Sequence, residues 1–133
     1  MAKKVLKFFP VFLMLVVIPS CIVQPVMNLS NEPVPTSADG STYTRKQLHE
    51  AIIRACKLRG WIAQPKKKGL IEASINVRMH RAKVEIHYDE TKISILYKDS
   101  YDLDYADGYI HRNYNRWITY LYRTILSELH SPT

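Results

Sequence analysis

The chain has 133 residues, with 19 Lys and Arg against 12 Asp and Glu, and its formal net charge is +7. This length is typical of a single domain, and 47% hydrophobic residues with only 4 Gly exclude a disordered chain and a collagen. No apolar run reaches the roughly 20 residues of a membrane-spanning helix, which excludes a polytopic membrane protein. The 2 cysteines cannot form a zinc site by themselves.

The beginning of the chain has the pattern of an export signal. A positive segment comes first, formed by Lys3, Lys4 and Lys7. Residues 8–18 are uncharged and apolar, and two small residues then precede Cys21. This order predicts a cleaved signal peptide over residues 1–20. Its removal leaves 16 basic and 12 acidic residues, so the net charge of the mature chain falls to +4.

The residues that close this signal, Ile18-Pro19-Ser20-Cys21, resemble the lipobox of bacterial lipoproteins, where an aliphatic residue and two small residues precede Cys. The resemblance implies a diacylglyceryl group on the Cys21 sulfur and a palmitate-type chain on the new amino group. It also implies sorting to the outer membrane, because Ile22 rather than Asp follows the Cys. We therefore expect a lipid-anchored envelope protein that faces the periplasm. Ordinary signal cleavage with a free Cys21 thiol is the alternative.

A change of composition follows the predicted anchor. Residues 22–43 contain three prolines and several Asn and Ser, with few apolar positions. This composition predicts a flexible tether over residues 21–43, which would separate a folded domain from the bilayer.

The first helix is predicted where this segment ends. Thr44 and Gln47 have the spacing of a capping box, in which each side chain bonds the other residue's backbone amide. Gly60 has the position of a C-terminal cap. An apolar stripe at helical spacing lies between them, formed by Leu48, Ile52, Ala55 and Cys56. We therefore expect Cys56 to be a buried and unreactive thiol.

Strands are predicted after this helix. Residues 61–63 form a short apolar strand, and apolar residues then alternate with polar ones over residues 71–79, 82–88 and 93–97. His80-Arg81 is the predicted turn of the central hairpin. The turn before residue 71 carries Lys66, Lys67 and Lys68 between Pro65 and Gly69. The alternation gives the sheet one aliphatic face and one polar face.

A second helix is predicted to close the chain. Residues 99–113 form a loop rich in Asp and Tyr, and Asn113 is the predicted N-cap. The apolar stripe that follows consists of Tyr114, Ile118, Leu121, Ile125 and Leu129. The predicted fold is therefore a small α+β domain over residues 44–130. It has a helix, an antiparallel meander of three or four strands and a helix, with both helices packed on one face of the sheet.

The segment Ile110-His111-Arg112-Asn113-Tyr114-Asn115-Arg116-Trp117, with Tyr101 and Leu103 before it, resembles a group of small uncharacterised bacterial lipoproteins. The resemblance runs from Arg59 onward. It implies this fold and an envelope location. The group has no established activity, so the resemblance carries no catalytic residue.

A basic surface is the first candidate for recognition. Residues 45–83 carry 11 basic and 2 acidic residues, whereas residues 84–133 carry 5 basic and 8 acidic residues. The turn with Lys66, Lys67 and Lys68 therefore favours an anionic partner, such as a glycolipid or a cell-wall glycan. We expect no nucleic-acid partner for an exported protein. The alternative is a solvated surface on which the two halves neutralise each other.

The Asp/Tyr loop is the second candidate. Aromatic side chains stack on sugars or anchor protein interfaces, and those in question are Tyr101, Tyr105 and Tyr109, with His111 beside them. They could equally cover the end of a small core. Asp102, Asp104 and Asp107 do not have the spacing of a calcium loop, because no bidentate Glu follows. We expect neither a metal nor a cofactor.

Catalysis is not predicted. The sequence contains no Gly-x-Ser-x-Gly motif and no P-loop, and Glu72 and Glu85 fall on the polar sheet face, where acid–base chemistry would still need a walled pocket. The predicted function is a lipid-anchored, non-enzymatic binding or assembly component of the envelope. The alternative is a ligand-binding module for an anionic glycolipid or a cell-wall glycan, and an enzyme comes third.

Overall fold

The structure, a computed structural model, describes residues 2–4 and 22–131. The apolar part of the predicted signal peptide and Cys21 lie outside the described residues. The elements within the described part are β1 (Val23–Pro25), β2 (Leu29–Pro33), α1 (Arg45–Leu58), β3 (Trp61–Lys67), β4 (Leu70–Val77), β5 (His80–Tyr88), β6 (Lys92–Tyr101), β7 (Tyr109–His111) and α2 (Arg112–His130). No helix among these residues has the length and apolar character needed to cross a membrane.

Five strands form one antiparallel sheet in the order β2-β6-β5-β4-β3, and β1 pairs with β7 in a separate two-stranded ribbon. The predicted small α+β domain is confirmed, and β3 to β6 form the predicted meander. The surroundings of the meander differ from the prediction. Over the described residues there are seven strands instead of three or four, and α1 follows two strands instead of opening the domain.

The structure also differs from the tether predicted for residues 21–43. Residues 23–25 pair with β7 and residues 29–33 pair with β6, so the folded unit begins at Val23 rather than at residue 44. The physical reason is that both strands lie at an edge. Pro25 and Pro33 donate no backbone hydrogen bond, and an edge strand tolerates proline because one side of it has no partner. An edge strand therefore has the composition of a linker.

The core lies between the aliphatic face of the sheet and the helices. Ile71, Ala73 and Ile75 of β4 are paired with residues of β5 that are equally buried, namely Ile86, Val84 and Ala82. These residues form one hydrophobic cluster with the apolar faces of α1 and α2. The stripe predicted for α1 is confirmed, because Leu48, Ile52, Ala55 and Cys56 are all fully buried. Burial raises the pKa of the Cys56 thiol to about 12, which keeps it protonated.

The central hairpin turns two residues earlier than predicted. Val77 pairs with His80, so the turn is Arg78-Met79, and Arg78 adopts a φ of 57°. The predicted turn at His80-Arg81 was wrong. A shift of two residues leaves every side chain on its original face, because the side-chain period of a strand is two. The predicted inward and outward positions of both strands are therefore correct except at Met79, which lies in the turn with 70% of its surface exposed.

The helix caps agree with the prediction at α1 and differ at α2. Thr44 and Gln47 form the complete capping box, with the Gln47 amide donating to Thr44 Oγ1 at 3.2 Å and the Thr44 amide donating to Gln47 Oε1 at 2.8 Å. At α2 the N-cap is His111 and not Asn113. The Asn113 amide donates to His111 Nδ1 at 3.2 Å, so the imidazole takes the place of the usual oxygen acceptor.

Candidate functional site

A groove rich in cations lies where the β3–β4 turn meets the N-terminus of α1. Its volume is about 440 Å³. We call it the basic groove, and its lining residues are Arg45, Lys46, His49, Pro65, Lys66, Lys67, Lys68 and Tyr88. Five of these side chains are cationic and none is a carboxylate. The predicted lysine turn is therefore one wall of a larger site.

The turn that carries the lysines is tighter than predicted. β3 continues through Lys67, so only Lys68 and Gly69 form the turn between β3 and β4. Gly69 has a φ of 78°, and a Cβ at this position would lie 2.9 Å from the carbonyl oxygen of Tyr88. Any other residue would strain the backbone at this φ, and its Cβ would push away the end of β5, where Tyr88 lies. Gly69 therefore sets the position of Lys68 relative to Tyr88.

The cations of the groove differ in how they are paired. Arg45 lies 3.4 Å from Glu90, and two lysines, Lys46 and Lys66, lie 4.0 Å from Glu50 and Glu72. Among the described residues no ion pair or hydrogen bond is formed by the side chains of Lys67 and Lys68. Placing them beside Arg45 is electrostatically unfavourable, because like charges repel and only solvent screens them. An anion in the groove would relieve this repulsion.

A hydrogen-bonded phenol and imidazole also line the groove. The Tyr88 hydroxyl and His49 Nδ1 form a hydrogen bond of 2.6 Å. Burial is the main reason why the pKa of the Tyr88 hydroxyl is raised, so it stays protonated. A phenol and an imidazole offer polar contacts to a ligand without adding a carboxylate that would repel an anion.

Outside the groove, the polar face of the sheet carries a network of ion pairs. Lys98 Nζ lies 2.6 Å from Glu72 Oε2 and 3.2 Å from Glu85 Oε1, and Glu85 is also 3.1 Å from His87. The hydrogen bond from Lys98 is the main reason why the pKa of Glu72 is lowered. Both carboxylates are therefore held ionised by neighbouring cations on the polar sheet face, which is unsuited to proton transfer.

Ion pairs also join the basic and acidic parts of the chain. Arg54 lies 2.8 Å from Glu128, and Arg45 pairs with Glu90. For these two arginines, the basic and acidic halves of the chain neutralise each other, as the alternative of a solvated surface predicts. Lys67 and Lys68 are not neutralised in this way, since neither has an ion-pair partner among the described residues.

The structure divides the tyrosines of the Asp/Tyr loop into two groups. Tyr114 is fully buried, and Tyr97 packs against it with an edge-to-face geometry at 5.7 Å. Three tyrosines point outward, namely Tyr101, Tyr105 and Tyr109, with 56%, 46% and 50% of their surface exposed. Tyr97 and Tyr114, which flank the loop, therefore pack at the core, and recognition by the three exposed tyrosines stays a prediction.

The exposed tyrosines are held by different neighbours. The Tyr105 ring stacks on Tyr97 at 4.3 Å, and the Arg81 guanidinium lies 4.8 Å from the centre of the Tyr101 ring. His111 caps α2 and stacks with His80 at 6.5 Å. These contacts give His111 a structural role, although the sequence placed it among the binding candidates.

The predicted site residues do not form one site. Lys66, Lys67 and Lys68 lie at the turn that begins β4, while Tyr101 lies beside Arg81, just after the turn that ends β4. With 8 residues, β4 places about 25 Å between these two ends. The lysine turn and the Asp/Tyr loop are therefore separate surfaces.

Sequence reasoning missed four residues of the groove, namely Arg45, Lys46, His49 and Tyr88. One signal was present, because the first turn of α1 contains Arg45 and Lys46 but no acidic residue. Acidic residues are favoured there by the helix dipole, and cations are not. Acidic partners partly offset this, since Arg45 lies 3.4 Å from Glu90 and Lys46 lies 4.0 Å from Glu50, so the signal for a site is weak.

Comparisons with protein-family models, with curated proteins and with solved structures found no match for this chain. Within the described part of the chain, no three His, Cys, Asp or Glu side chains are grouped so that they could hold a metal ion. The assignment of a function therefore depends on the geometry of the two surfaces.

Proposed function

We propose that this protein is a lipid-anchored, non-enzymatic binding component of the bacterial envelope. Acyl chains on Cys21 would hold it on the outer membrane, with the domain facing the periplasm. The basic groove would bind the anionic partner. The observation that carries this proposal is the lining of the groove, where five cations meet, none of the lining side chains is a carboxylate, and Lys67 and Lys68 have no ion-pair partner among the described residues.

The unpaired lysines favour binding over a purely structural role. Surface ion pairs contribute little to stability, and unpaired cations contribute less. Lys67 and Lys68 also lie at the end of an edge strand, where charge discourages the pairing of two sheets. That explanation accounts for Lys67 within β3. It does not account for Arg45 and Lys46, which come from a different element and converge on the same groove.

The location of the groove favours a cell-wall glycan over a glycolipid. Ile22, the neighbour of the predicted anchor, contacts Arg112 at the start of α2, near the opposite end of β4 from Lys68. The groove would therefore lie about 25 Å from the anchored end. With β4 along the membrane normal, a phosphate in the same leaflet would not reach the groove, whereas a carboxylate-bearing glycan in the periplasm would.

Support for a non-enzymatic role comes from the reactive groups. Cys56 is fully buried and its pKa is raised, so it cannot act as a thiolate nucleophile. Glu72 is held by Lys98 and Lys83 in ion pairs on the sheet surface. Neither group has the environment of a nucleophile or a general base.

A charge-reversal experiment tests the groove. The mature chain with Cys21→Ser would be mixed with purified peptidoglycan and centrifuged at increasing NaCl concentrations. We expect the bound fraction to fall with salt, because Coulomb attraction between exposed charges is screened. The double variant Lys67→Glu/Lys68→Glu should lose most of the binding at low salt.

The matched control reverses two other exposed cations, Arg116→Glu and Arg123→Glu, so that both double variants have the same net charge. Both lie on α2, away from the groove. Equal binding by the two double variants, or a bound fraction that does not change with NaCl concentration, would contradict the proposal. Thermal unfolding of each variant establishes that loss of binding does not reflect loss of the fold.

The anchor has its own experiment. In membranes from cells that express the full chain, the wild type should enter the detergent phase and Cys21→Ser should not. Mass spectrometry of the N-terminal peptide should find the acyl chains on the wild type, since several chains are needed for firm anchoring. A wild-type protein in the aqueous phase without an acyl mass would refute the lipid anchor.

A further inference from the structure

The residue next to the predicted lipidation site lies directly on the folded domain. The backbone amide of Arg112 donates a hydrogen bond to the carbonyl oxygen of Ile22 at 2.8 Å. Val23, the next residue, pairs with His111 in the β1–β7 ribbon. Because consecutive α-carbons are about 3.8 Å apart, acyl chains on Cys21 would enter the bilayer beside this surface. No length of free chain would separate the domain from the membrane.

Exposed hydrophobic side chains are concentrated around Ile22. Over the described residues eight large hydrophobic side chains are exposed, and five of them form what we call the aromatic end. These five residues are Ile22, Met79, Tyr101, Tyr105 and Tyr109. Met79 has 70% of its surface exposed, although a free methionine side chain gains nothing from contact with water. Such a concentration indicates a surface that meets an apolar or interfacial partner.

Contacts between elements bring the five residues to the same end of the molecule. Tyr109 lies opposite Pro25 in the ribbon that follows Ile22. The His111 ring stacks with His80, which follows the Arg78-Met79 turn, at 6.5 Å. Arg81, in the same hairpin, lies over the Tyr101 ring and so brings Tyr101 to this end. Ala106, the neighbour of Tyr105, pairs with Tyr109.

The charges at this end are mixed, in contrast to the basic groove. Arg78 and Arg81 lie in or beside the hairpin turn, and the loop contributes Asp102, Asp104 and Asp107. One of these acids is engaged, because Asp102 lies 3.2 Å from His80. A surface with both signs of charge and several phenol groups matches zwitterionic headgroups, which present a phosphate and an ammonium group side by side.

We infer that the aromatic end is a membrane-docking surface that lies at headgroup level on the same bilayer that holds the acyl chains. The inference rests on the lipid anchor of the proposed function. Tyrosine is enriched at the membrane–water interface because its ring is apolar and its hydroxyl remains hydrated. Docking turns one covalent attachment into a fixed orientation, since a second contact area prevents free rotation about the anchor. The basic groove then projects away from the bilayer.

Tryptophan fluorescence tests the docking. Full-length protein, processed in cells and purified with its acyl chains, would be reconstituted into vesicles of phosphatidylethanolamine and phosphatidylglycerol, with and without brominated acyl chains. Tryptophan would be introduced at the docking surface by Met79→Trp or Tyr109→Trp. The control is Lys68→Trp at the far end of β4. Wild-type emission, from Trp61 and Trp117, is subtracted as background.

We expect brominated lipid to quench the added emission of Met79→Trp and Tyr109→Trp, together with a blue shift, and to leave that of Lys68→Trp unchanged. High salt should not reverse the quenching, since the surface has mixed charge. Equal emission of all three variants in both kinds of vesicle would overturn the docking. The lipid anchor would survive that result if the protein still floats with the vesicles.

Two other outcomes would also overturn the inference. A blue shift that depends on protein concentration rather than on lipid would identify a second copy of the chain as the occupant of the aromatic end. A protein that neither floats with vesicles nor carries an acyl mass would refute the lipid anchor itself, and the docking with it. Flotation and mass spectrometry thus separate failure of the anchor from failure of the docking surface.

Discussion

The side chain of Asn115 accepts a hydrogen bond from the backbone amide of Met27 at 2.9 Å, although the two residues are 88 positions apart in the chain. The amide nitrogen of the same side chain donates to the Pro25 carbonyl at 3.0 Å. Asn115 has only 9% of its surface exposed. One buried amide on α2 therefore holds the segment between β1 and β2 against the domain, by satisfying one donor and one acceptor of its backbone.

Replacement of this amide tests how firmly the N-terminal segment is held. Asn115→Leu removes both of these hydrogen bonds, and a third from its amide nitrogen to Gln24 Oε1 at 3.4 Å, and leaves the Met27 amide and the Pro25 carbonyl without this partner. We expect the free energy of unfolding to fall by about 1–3 kcal/mol, measured by urea denaturation. Amide hydrogens of residues 23–33 should exchange faster. The control is Asn113→Leu, since the Asn113 side chain has no hydrogen-bond partner among the described residues; an equal loss in both variants would contradict this assignment.

The register of the meander is tested by two neighbours on β5. Val84 is fully buried, and Lys83 points to the opposite face, where its side chain is 43% exposed. Val84→Asp places an unpaired charge in the core and should cost more than about 4 kcal/mol, enough to unfold a marginally stable domain. Lys83→Thr loses one exposed ion pair and should cost less than about 1 kcal/mol. Similar circular dichroism melting curves for the two variants would refute the register.

The hydroxyl of Tyr114 is buried without a hydrogen-bond partner, so its removal should not lower the free energy of unfolding. Tyr114 is fully buried, and its hydroxyl is the one buried side-chain polar atom in the described part without a hydrogen bond. Burial raises the pKa of this phenol far above its ordinary value of 10, so it remains neutral. Tyr114→Phe removes a polar atom that gains nothing and should leave stability equal or slightly higher.

The matched control for Tyr114 is Tyr88→Phe. The Tyr88 hydroxyl is bonded to His49 at 2.6 Å, so its removal should lower the free energy of unfolding by about 0.5–1.5 kcal/mol. Thermal denaturation of the two variants gives the comparison. A clear loss of stability in Tyr114→Phe would reveal a hydrogen-bond partner for this hydroxyl.

Acid should weaken the fold through the ion pairs of the sheet. Hydrogen bonds from Lys98 to Glu72, and from His87 and then Lys98 to Glu85, lower the pKa of both carboxyl groups below their ordinary value of 4.5. A carboxyl whose pKa is lower in the folded state contributes stability at pH values above 4.5. This contribution is lost as the pH falls through the lower folded value. The free energy of unfolding should therefore decline below about pH 4.5.

Removal of the shared lysine tests this assignment. Lys98→Met should lower stability at pH 7, and the difference from wild type should shrink as both carboxyl groups become protonated. The control is Lys57→Met, because the Lys57 side chain has no ion-pair partner among the described residues. Urea denaturation at several pH values gives both curves. A Lys98→Met curve that runs parallel to that of the wild type would contradict the linkage.

Local patterns were sufficient for the elements that carry their own signal. The alternation in residues 71–75 and 82–88 placed Ile71, Ala73 and Val84 on the buried face correctly, because a strand exposes successive side chains to opposite sides. The capping box of Thr44 and Gln47 was found from spacing alone. Patterns of this kind depend on neighbours in the chain, so a single sequence contains all the information they need.

The edge strands could not be found in this way. The partners of β1 and β2 are β7 and β6, which follow them in the chain by more than 50 residues. A strand of three to five residues with Pro and Asn has no periodicity of its own, and its pairing is decided by an open sheet edge and by a side chain such as Asn115. The prediction of a tether failed for this reason.

The sequence by itself determined the α+β class, the meander, the apolar stripes of both helices, and the expectation of a lipid at Cys21. Only the tertiary structure decided that Arg45 and Lys46 converge with Lys67 and Lys68, and that Ile22 adjoins the aromatic end. Secondary structure follows from local periodicity. A surface assembled from several elements follows from how they pack, and packing depends on contacts between residues that are far apart in the chain.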